Sequence, residues 1–395
     1  MDTNIGAKER VTQNRLIGLF KNVLKYTYLG NWETREDNAN IEEKLLTAYL
    51  SRRGYTDKEI RSSIVKLKQS ANSLGGGLYN ANKEVYTFLR YGVNIQAEVT
   101  EKKKMVHLID WANPMENDFQ IAEEVTIQGA SDRRPDLVVY VNGIALAVIE
   151  LKRSTVSAHE GIRQNIRNQQ DGYIPRFFTT IQLLFAGNDT EGLHYGVIKT
   201  PEKFWLRWKE PCGEPCQPSH FTAKEYPNEL DRSVLQFFEP VRLLEYIHDF
   251  IIFDGGIKKT ARPNQYFAVK AAQPRVRKKQ NGIIWHSQGS GKSLTMVWLA
   301  QWIRENVSDA RVVIITDRDE LDKQIESGFK DVGEQIQRAK SGGKLIEMLN
   351  AAEPWLICTL IHKFGNKNDS DAISVGNKKA SKSLDLYLEE LAKSL

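Results

Sequence analysis

Arg133-Arg134-Pro135-Asp136-Leu-Val-Val-Tyr-Val-Asn142-Gly143-Ile-Ala-Leu-Ala-Val-Ile-Glu150-Leu-Lys152-Arg153 is the stretch from which the rest of the chain is read. Two β-rich runs flank Asn142-Gly143, and Asn-Gly between such runs is the strongest short-range hairpin signal. Three ionisable residues interrupt them: Asp136, Glu150 and Lys152. In a period-2 strand Ile144, Leu146, Val148, Glu150 and Lys152 share one face. Burying an unpaired charge is costly, so an acid and a base on that face serve a purpose or lie at an edge.

Two carboxylates and a lysine suit a metal-dependent phosphodiesterase. Asp136 and Glu150 would hold Mg²⁺, a hard ion that prefers oxygen ligands. Lys152 would orient a water or neutralise developing charge. The site requires Asp136 beside Glu150. A two-residue loop at Asn142-Gly143 in an unbroken ladder pairs Asp136 with Ile149 and sends Glu150 to the other face. A three-residue loop with Gly143 left-handed in a G1 bulge puts Asp136 opposite Glu150. The bulged register, or a bulge elsewhere in the hairpin, is therefore expected. The plainer alternative is a surface hairpin with a solvated Glu/Lys edge.

The spacing Pro-Asp-x13-Glu-x-Lys resembles the PD-(D/E)xK nuclease motif. With Leu108-Ile-Asp-Trp-Ala-Asn-Pro114, Asn117-Asp-Phe119 and Arg133-Arg-Pro-Asp136, it is similar to the N-terminal nuclease domain of type I restriction enzyme R subunits. That family carries a Gln-x-x-x-Tyr motif downstream, which Gln169-Gln-Asp-Gly-Tyr173 matches. The resemblance implies that Gln169 and Tyr173 lie near the nuclease site and DNA, on one helix face if the helix continues past Gly172.

At 395 residues the chain has room for two or three domains. Its net charge of +5 is modest, but Gly255 to Arg304 holds ten Lys/Arg and no Asp or Glu, a block that attracts phosphate. Three cysteines are too few for a disulfide framework. Cys212, Cys216 and His220 offer part of a zinc site with no fourth ligand apparent. The start has no apolar signal region and no run is long enough to span a membrane, so the reading is cytoplasmic.

Residues 1–35 read as an arm or a short helix. Ile41 to Arg53 is helical by periodicity, capped by Asn38 or Asn40, and the resemblance allows Glu42 or Glu43 to assist the metal. Helices are expected over Thr56–Leu74, Tyr79–Tyr91 and Ser157–Gln170. Strands are expected at Val93–Val99, Met105–Trp111, Ile121–Gln128, Leu183–Ala186 and Leu193–Ile198. Phe204-Trp-Leu-Arg-Trp208 reads as core rather than a base-stacking element. The proline-rich run Pro211–Pro227 reads as a linker, with a domain boundary near Tyr226 to Asp231, and Leu235–Phe253 as a helix.

Gly282-Ile-Ile-Trp-His-Ser-Gln-Gly289-Ser290-Gly291-Lys292-Ser293 is the second strong signal: an apolar strand, a Gly-rich loop, then a helix. Such a loop and helix N-terminus cradle phosphates. Lys292 would reach the β- and γ-phosphates of ATP, and Ser293 would hold Mg²⁺. His286 stands where a strict Walker A loop has glycine, a departure tolerated in superfamily 2 motors. Arg262-Pro-Asn-Gln265-Tyr resembles the adenine-reading glutamine of those motors. Asp317-Arg-x-x-Leu321-x-x-Gln324 resembles their motif Ia, and Leu356–Phe364 a later strand with its DNA-side loop. Asn366–Ser383 reads as polar and mobile, and Leu384–Leu395 as a closing helix.

The resemblance implies an α/β chain with a PD-(D/E)xK nuclease domain over 1–230 and the first RecA-like motor domain over 231–395, an incomplete parallel sheet that ends before a Walker B motif. It implies the endonuclease and motor subunit of a type I restriction-modification complex, with double-stranded DNA, methyltransferase and specificity subunits as partners. The chain is expected to be a fragment without ATPase activity. A repair helicase-nuclease, or an inactive DNA-binding module, are the alternatives.

Overall fold

The structure is a computed structural model that describes residues 5–96, 103–211, 220–331, 333, 335–351 and 353–361. The chain divides into two units, 1–267 and 268–395.

The first unit is built on a seven-stranded mixed sheet. Its strands are β1 (Thr27–Asn31), β4 (Phe119–Glu123), β5 (Leu137–Val141), β6 (Ile144–Leu151), β7 (Leu183–Asn188), β8 (Gly192–Gly196) and β9 (Leu206–Arg207), hydrogen-bonded in that order. The β1–β4 and β6–β7 pairs are parallel and the others antiparallel. All eight residues of β6 are buried, as a central strand covered on both faces should be, and Glu150 is the one charged residue among them. β2 (Val93–Ile95) and β3 (Lys104–Val106) form a separate antiparallel pair.

Of the two expectations for residues 1–35, an arm or a short helix, the structure has the helix, α1 (Ile5–Asn22), which is long at 18 residues and is followed by β1. Leu16 and Phe20 are fully buried, so they anchor α1 in the core. α2 (Glu43–Arg52), α3 (Asp57–Asn72), α4 (Gly77–Tyr91) and α5 (Ala158–Asn168) fall where periodicity put them. Neither Asn38 nor Asn40 caps α2. Asn38 Nδ2 donates to the Trp32 and Thr126 carbonyls, and Asn40 Nδ2 to the Arg176 carbonyl.

The segment 235–253 is not one helix. α6 (Glu229–Phe238) stops before Pro240, which opens α7 (Pro240–Asp249), and β10 (Ile251–Asp254) then pairs with β11 (Ile257–Thr260). Proline has no N–H to donate and suits the first turn of a new helix. The boundary expected near Tyr226 to Asp231 thus falls inside the first unit. The reason is packing: Phe237 and Phe238 of α6 meet Phe185 of β7 at 4.9 and 4.6 Å between ring centroids, and Trp208 meets Phe237 at 4.8 Å. Of the run expected to be core, Trp205 and Trp208 are buried but Phe204 is exposed. Cys212 and Cys216 lie outside the described residues.

The second unit begins within α8 (Pro263–Arg277), at Ala268, and continues with α9 (Lys292–Asn306), β12 (Val312–Thr316), α10 (Asp319–Asp331), β13 (Ile336–Arg338), α11 (Gly342–Asn350) and β14 (Leu356–Leu360). The sheet runs β12–β14–β13, all parallel, as alternating strands and helices require. The expected strand at Gly282–Trp285 is not paired among the described residues, and Ile283 and Trp285 are exposed. Lys363, Phe364 and residues 366–395 lie outside the described residues. Among those described, no helix is long and apolar enough to cross a membrane.

Candidate functional site

The β5–β6 hairpin turns tightly. Asn142 (φ 54°) and Gly143 (φ 79°) are both left-handed, and Val141 pairs directly with Ile144. The turn is therefore the two-residue type, not the three-residue loop. The extra residue lies deeper: Tyr140 pairs with Ala145 but Val139 with Ala147, leaving Leu146 as the bulge. The bulge redirects one end of the strand. Ala145, Val148 and Val138 now share a cluster with Ile162 of α5, while Ile144 and Leu146 leave that face. Leu137 pairs with Ile149, so the ladder's continuation sets Asp136 against Glu150. Backbone groups beside the bulge find partners outside the hairpin. Ala145 N–H donates to the Asn40 carbonyl, and Gln182 N–H donates to the Leu146 carbonyl.

The motif residues upstream hold this turn. Asn142 Nδ2 donates to the Leu108 carbonyl and to Asn117 Oδ1, while its Oδ1 accepts from Asp118 N–H at 2.7 Å. Asn117 in turn ties the Asp110–Pro114 turn through its amide. A Cβ on Gly143 would lie 2.8 Å from the Glu42 carbonyl oxygen and 2.9 Å from Leu46 N. Only glycine fits there.

Asp136 Oδ2 accepts from Leu151 N–H at 2.6 Å. Burial raises the Asp136 carboxyl to about 6, against the pull of Lys152. Glu150 is fully buried; burial first, then the Asp136 charge, pushes its carboxyl well above the usual range. Gln164 of α5 donates to Glu150 Oε2 at 2.6 Å, while Glu150 Oε1 is buried with no hydrogen-bond partner. Burial works against the Lys152 ammonium, but Asp136, Glu150 and Glu9 outweigh it and its pKa is raised. Its Nζ lies 3.5 Å from Glu9 Oε1 and donates to the Leu151 carbonyl at 2.8 Å. α5 can approach because Gly161 sits over the strand: a Cβ there would meet Glu150 Cβ at 3.3 Å and Ala186 Cβ at 3.1 Å.

Three sequence expectations come together here: Asp136, Glu150 and Lys152. The first-helix carboxylate that the structure brings beside Lys152 is Glu9 on α1, whereas Glu42 and Glu43 have other partners. Glu42 is spent on Arg35, at 2.6 Å, and Glu43 pairs with Lys68. Glu9 lies in a stretch that carries no motif, so the sequence does not single it out. Gln169 and Tyr173 do not share a helix face. α5 ends at Asn168, Gln169 is its C-cap, and Tyr173 follows in a turn. Gln169 Oε1 accepts from Lys199 N–H, and Tyr173 stacks with Arg133 at 4.1 Å. Gln164, one turn earlier, is the glutamine that meets Glu150.

A carboxylate pair that favours a proton, with one oxygen left without a partner, suits a hard divalent cation. The donor set at Asp136 and Glu150 therefore fits Mg²⁺.

In the second unit Gly289 (φ 76°) and Gly291 (φ 83°) are left-handed, and Gly291 caps α9. Lys292 Nζ donates to the His286 and Ser287 carbonyls at 3.2 and 3.1 Å, folding back over the loop. Ser290 Oγ donates to the Ser287 carbonyl at 2.7 Å. Lys292 and Ser293 border a hollow of about 560 Å³ that Ile284, Met296, Ile315 and Asp317 also line. The loop's backbone donors, helix start and ammonium suit a polyphosphate. Gln265 belongs to the first unit, where it is buried and its Oε1 accepts from Arg262 N–H at 2.8 Å.

Comparison with known proteins follows the same division. Residues 7–203 match the profile of the type I restriction enzyme R protein N terminus, and residues 264–388 that of the SWI2/SNF2 ATPase. A putative type I restriction enzyme endonuclease subunit (MjaIXP) of Methanocaldococcus jannaschii is 27% identical over 92% of this chain and 38% of its own length. The type I restriction enzyme SsaAORF53P endonuclease subunit of Staphylococcus saprophyticus is 26% identical over 71% of this chain and 30% of its own. The chain thus spans about a third of the curated relatives it matches. With a nuclease-type hairpin in the first unit and a phosphate loop in the second, both inside the matched regions, the chain belongs to the type I restriction enzyme R protein family.

Proposed function

We propose that this chain supplies the Mg²⁺-dependent endonuclease site and the first nucleotide-binding half of a type I restriction enzyme motor. The observation that carries the reading is the bulge at Leu146, which sets Asp136 against Glu150 with Lys152 alongside.

Asp136 and Glu150 would hold the ion. When bound, it acidifies a water and neutralises charge on the scissile phosphate. Gln164 fixes one oxygen of Glu150 and so aims the other. Lys152 stays an ammonium because three carboxylates surround it, and it donates to a phosphate oxygen as charge builds there. Glu9 holds Lys152 in place. The raised carboxyls mean that a proton must leave before the site can ligate a cation.

Gly289, Ser290, Gly291, Lys292 and Ser293 would bind the phosphates of ATP, Ser293 also ligating Mg²⁺. In the complete protein, cleavage of double-stranded DNA would be coupled to ATP-driven translocation, with methyltransferase and specificity subunits as cytoplasmic partners. The test is a nicking assay on supercoiled DNA with Mg²⁺ or Mn²⁺. Wild type is expected to nick and Glu150→Ala not to; equal nicking by both overturns the reading.

A further inference from the structure

On the far side of α5 from Gln164's turn, two histidines face each other. His159 is in the first turn of α5 and His194 is on β8, with ring centroids 5.8 Å apart. Both are half-buried, and neither belongs to the nuclease or nucleotide site.

Each ring is held by one nitrogen. His159 Nδ1 meets Glu202 Oε1 at 3.0 Å. His194 bonds through its ring to the backbone of Glu191. Metal-ligating histidines show this arrangement: one nitrogen is oriented by a carboxylate or carbonyl, and the other is left for the ion. The orienting groups are themselves fixed. Glu202 also accepts from Arg163 Nε at 2.9 Å. Glu191 accepts from Ala158 N–H at 3.2 Å and from Ser157 Oγ at 3.2 Å. A divalent ion about 2.1 Å from one nitrogen of each ring holds the two rings at a separation of this order. Two cations border the site, and each has a carboxylate partner: Arg163 shares Glu202 Oε1 with His159, at 2.9 Å, and Arg207 pairs with Glu229 at 2.6 Å. Burial, with His159 and Arg207 nearby, holds the His194 imidazole below its ordinary pKa, so it is a neutral ligand at pH 7.

We propose that His159 and His194 form a binding site for a borderline transition-metal ion such as Zn²⁺, Ni²⁺ or Cu²⁺, with Glu202 and the Glu191 backbone as orienting groups. Water completes the coordination. The ion clamps the start of α5 to β8, and Mg²⁺ is excluded because imidazole is a poor ligand for it.

The experiment is calorimetric titration of the tag-free chain with Ni²⁺ at pH 7.5, in an Asp136→Asn background that disables the nuclease carboxylates. One Ni²⁺ equivalent should disappear in His159→Ala and in His194→Gln, with unchanged circular dichroism. Glu202→Gln should keep the stoichiometry and weaken binding about 10- to 100-fold. Mg²⁺ in place of Ni²⁺ should give no His159-dependent heat. Identical Ni²⁺ isotherms for the parent and His159→Ala, the more exposed of the pair, overturn the proposal. So does an unchanged affinity in Glu202→Gln.

Discussion

Gln164 Nε2 donates to Glu150 Oε2 at 2.6 Å, from a helix to the central strand of the sheet. The contact leaves Oε1 as the free oxygen of a fully buried carboxylate. Gln164→Ala should therefore let the carboxylate rotate without removing a ligand. Mn²⁺ affinity is expected to fall about 10- to 100-fold, with nicking partly restored at high Mn²⁺. Glu150→Ala should not be restored. If Gln164→Ala binds Mn²⁺ as wild type does, the glutamine is only packing.

Asp136 predicts a stability cost with a definite pH window. Its folded pKa, about 6, exceeds the ordinary 3.8. Between those values the folded state holds more protons than the unfolded state, so stability falls as pH rises; above about 6 the cost is fully present. Asp136→Asn keeps an acceptor for Leu151 N–H and removes the charge. In EDTA at pH 7.5 it should stabilise the chain by about 3 kcal/mol, and the gain should vanish near pH 4. Mg²⁺ should raise the melting temperature of wild type but not of the variant. Melting curves at the two pH values decide it; a gain that is the same at both rejects the assignment.

The hairpin tests how register is set. Gly143→Ala places a Cβ against the Glu42 carbonyl and Leu46 N, at a residue with φ 79°. Overpacking of this kind costs about 1–3 kcal/mol. The variant should lose that much in urea melts, and activity with it, because the turn anchors the strand that carries Glu150. A neutral Gly143→Ala would mean the turn is free to move.

Much of this was legible in the chain. Asn142-Gly143 announced the hairpin, and the need to bring Asp136 beside Glu150 announced a bulge. Its position was not legible, because the bulge at Leu146 is fixed by Asn40 and Gln182, far away in sequence. Glu9 was hidden for a similar reason: α1 has no sharp apolar stripe, and its partner Lys152 is 143 residues distant. The motif spacing points to Gln169, but it is Gln164 that meets Glu150, because α5 turns Gln169 toward the Lys199 backbone. The exposed run at Ile283–Trp285 shows the converse, since apolar residues alone do not make a paired strand.

Lys292 donates to the carbonyls of its own loop, His286 and Ser287. A polyphosphate would have to displace those bonds, and the ammonium would then contact the anion directly. Lys292→Ala should weaken binding of a fluorescent ATP analogue at least about tenfold, as expected for loss of one charge-assisted contact. Melting temperature without nucleotide should hardly change. Unaltered binding would place the nucleotide elsewhere.

Lys258 offers a test outside either site. Its Nζ is buried and donates to Asn82 Oδ1 at 2.8 Å and Gln182 Oε1 at 2.6 Å, with no carboxylate partner among the described residues. Burial lowers its pKa well below the ordinary 10.5. Above its folded pKa the amine is neutral in the fold but still charged when unfolded, so unfolding takes up a proton. Stability therefore rises with pH until the unfolded lysine titrates, near 10.4. Lys258→Met removes this slope and leaves two amide oxygens unpaired, at about 1–3 kcal/mol each. Relative to wild type, the variant should thus look worse at pH 9.5 than at pH 7. A stability difference that does not change with pH would show that Lys258 stays charged in the core.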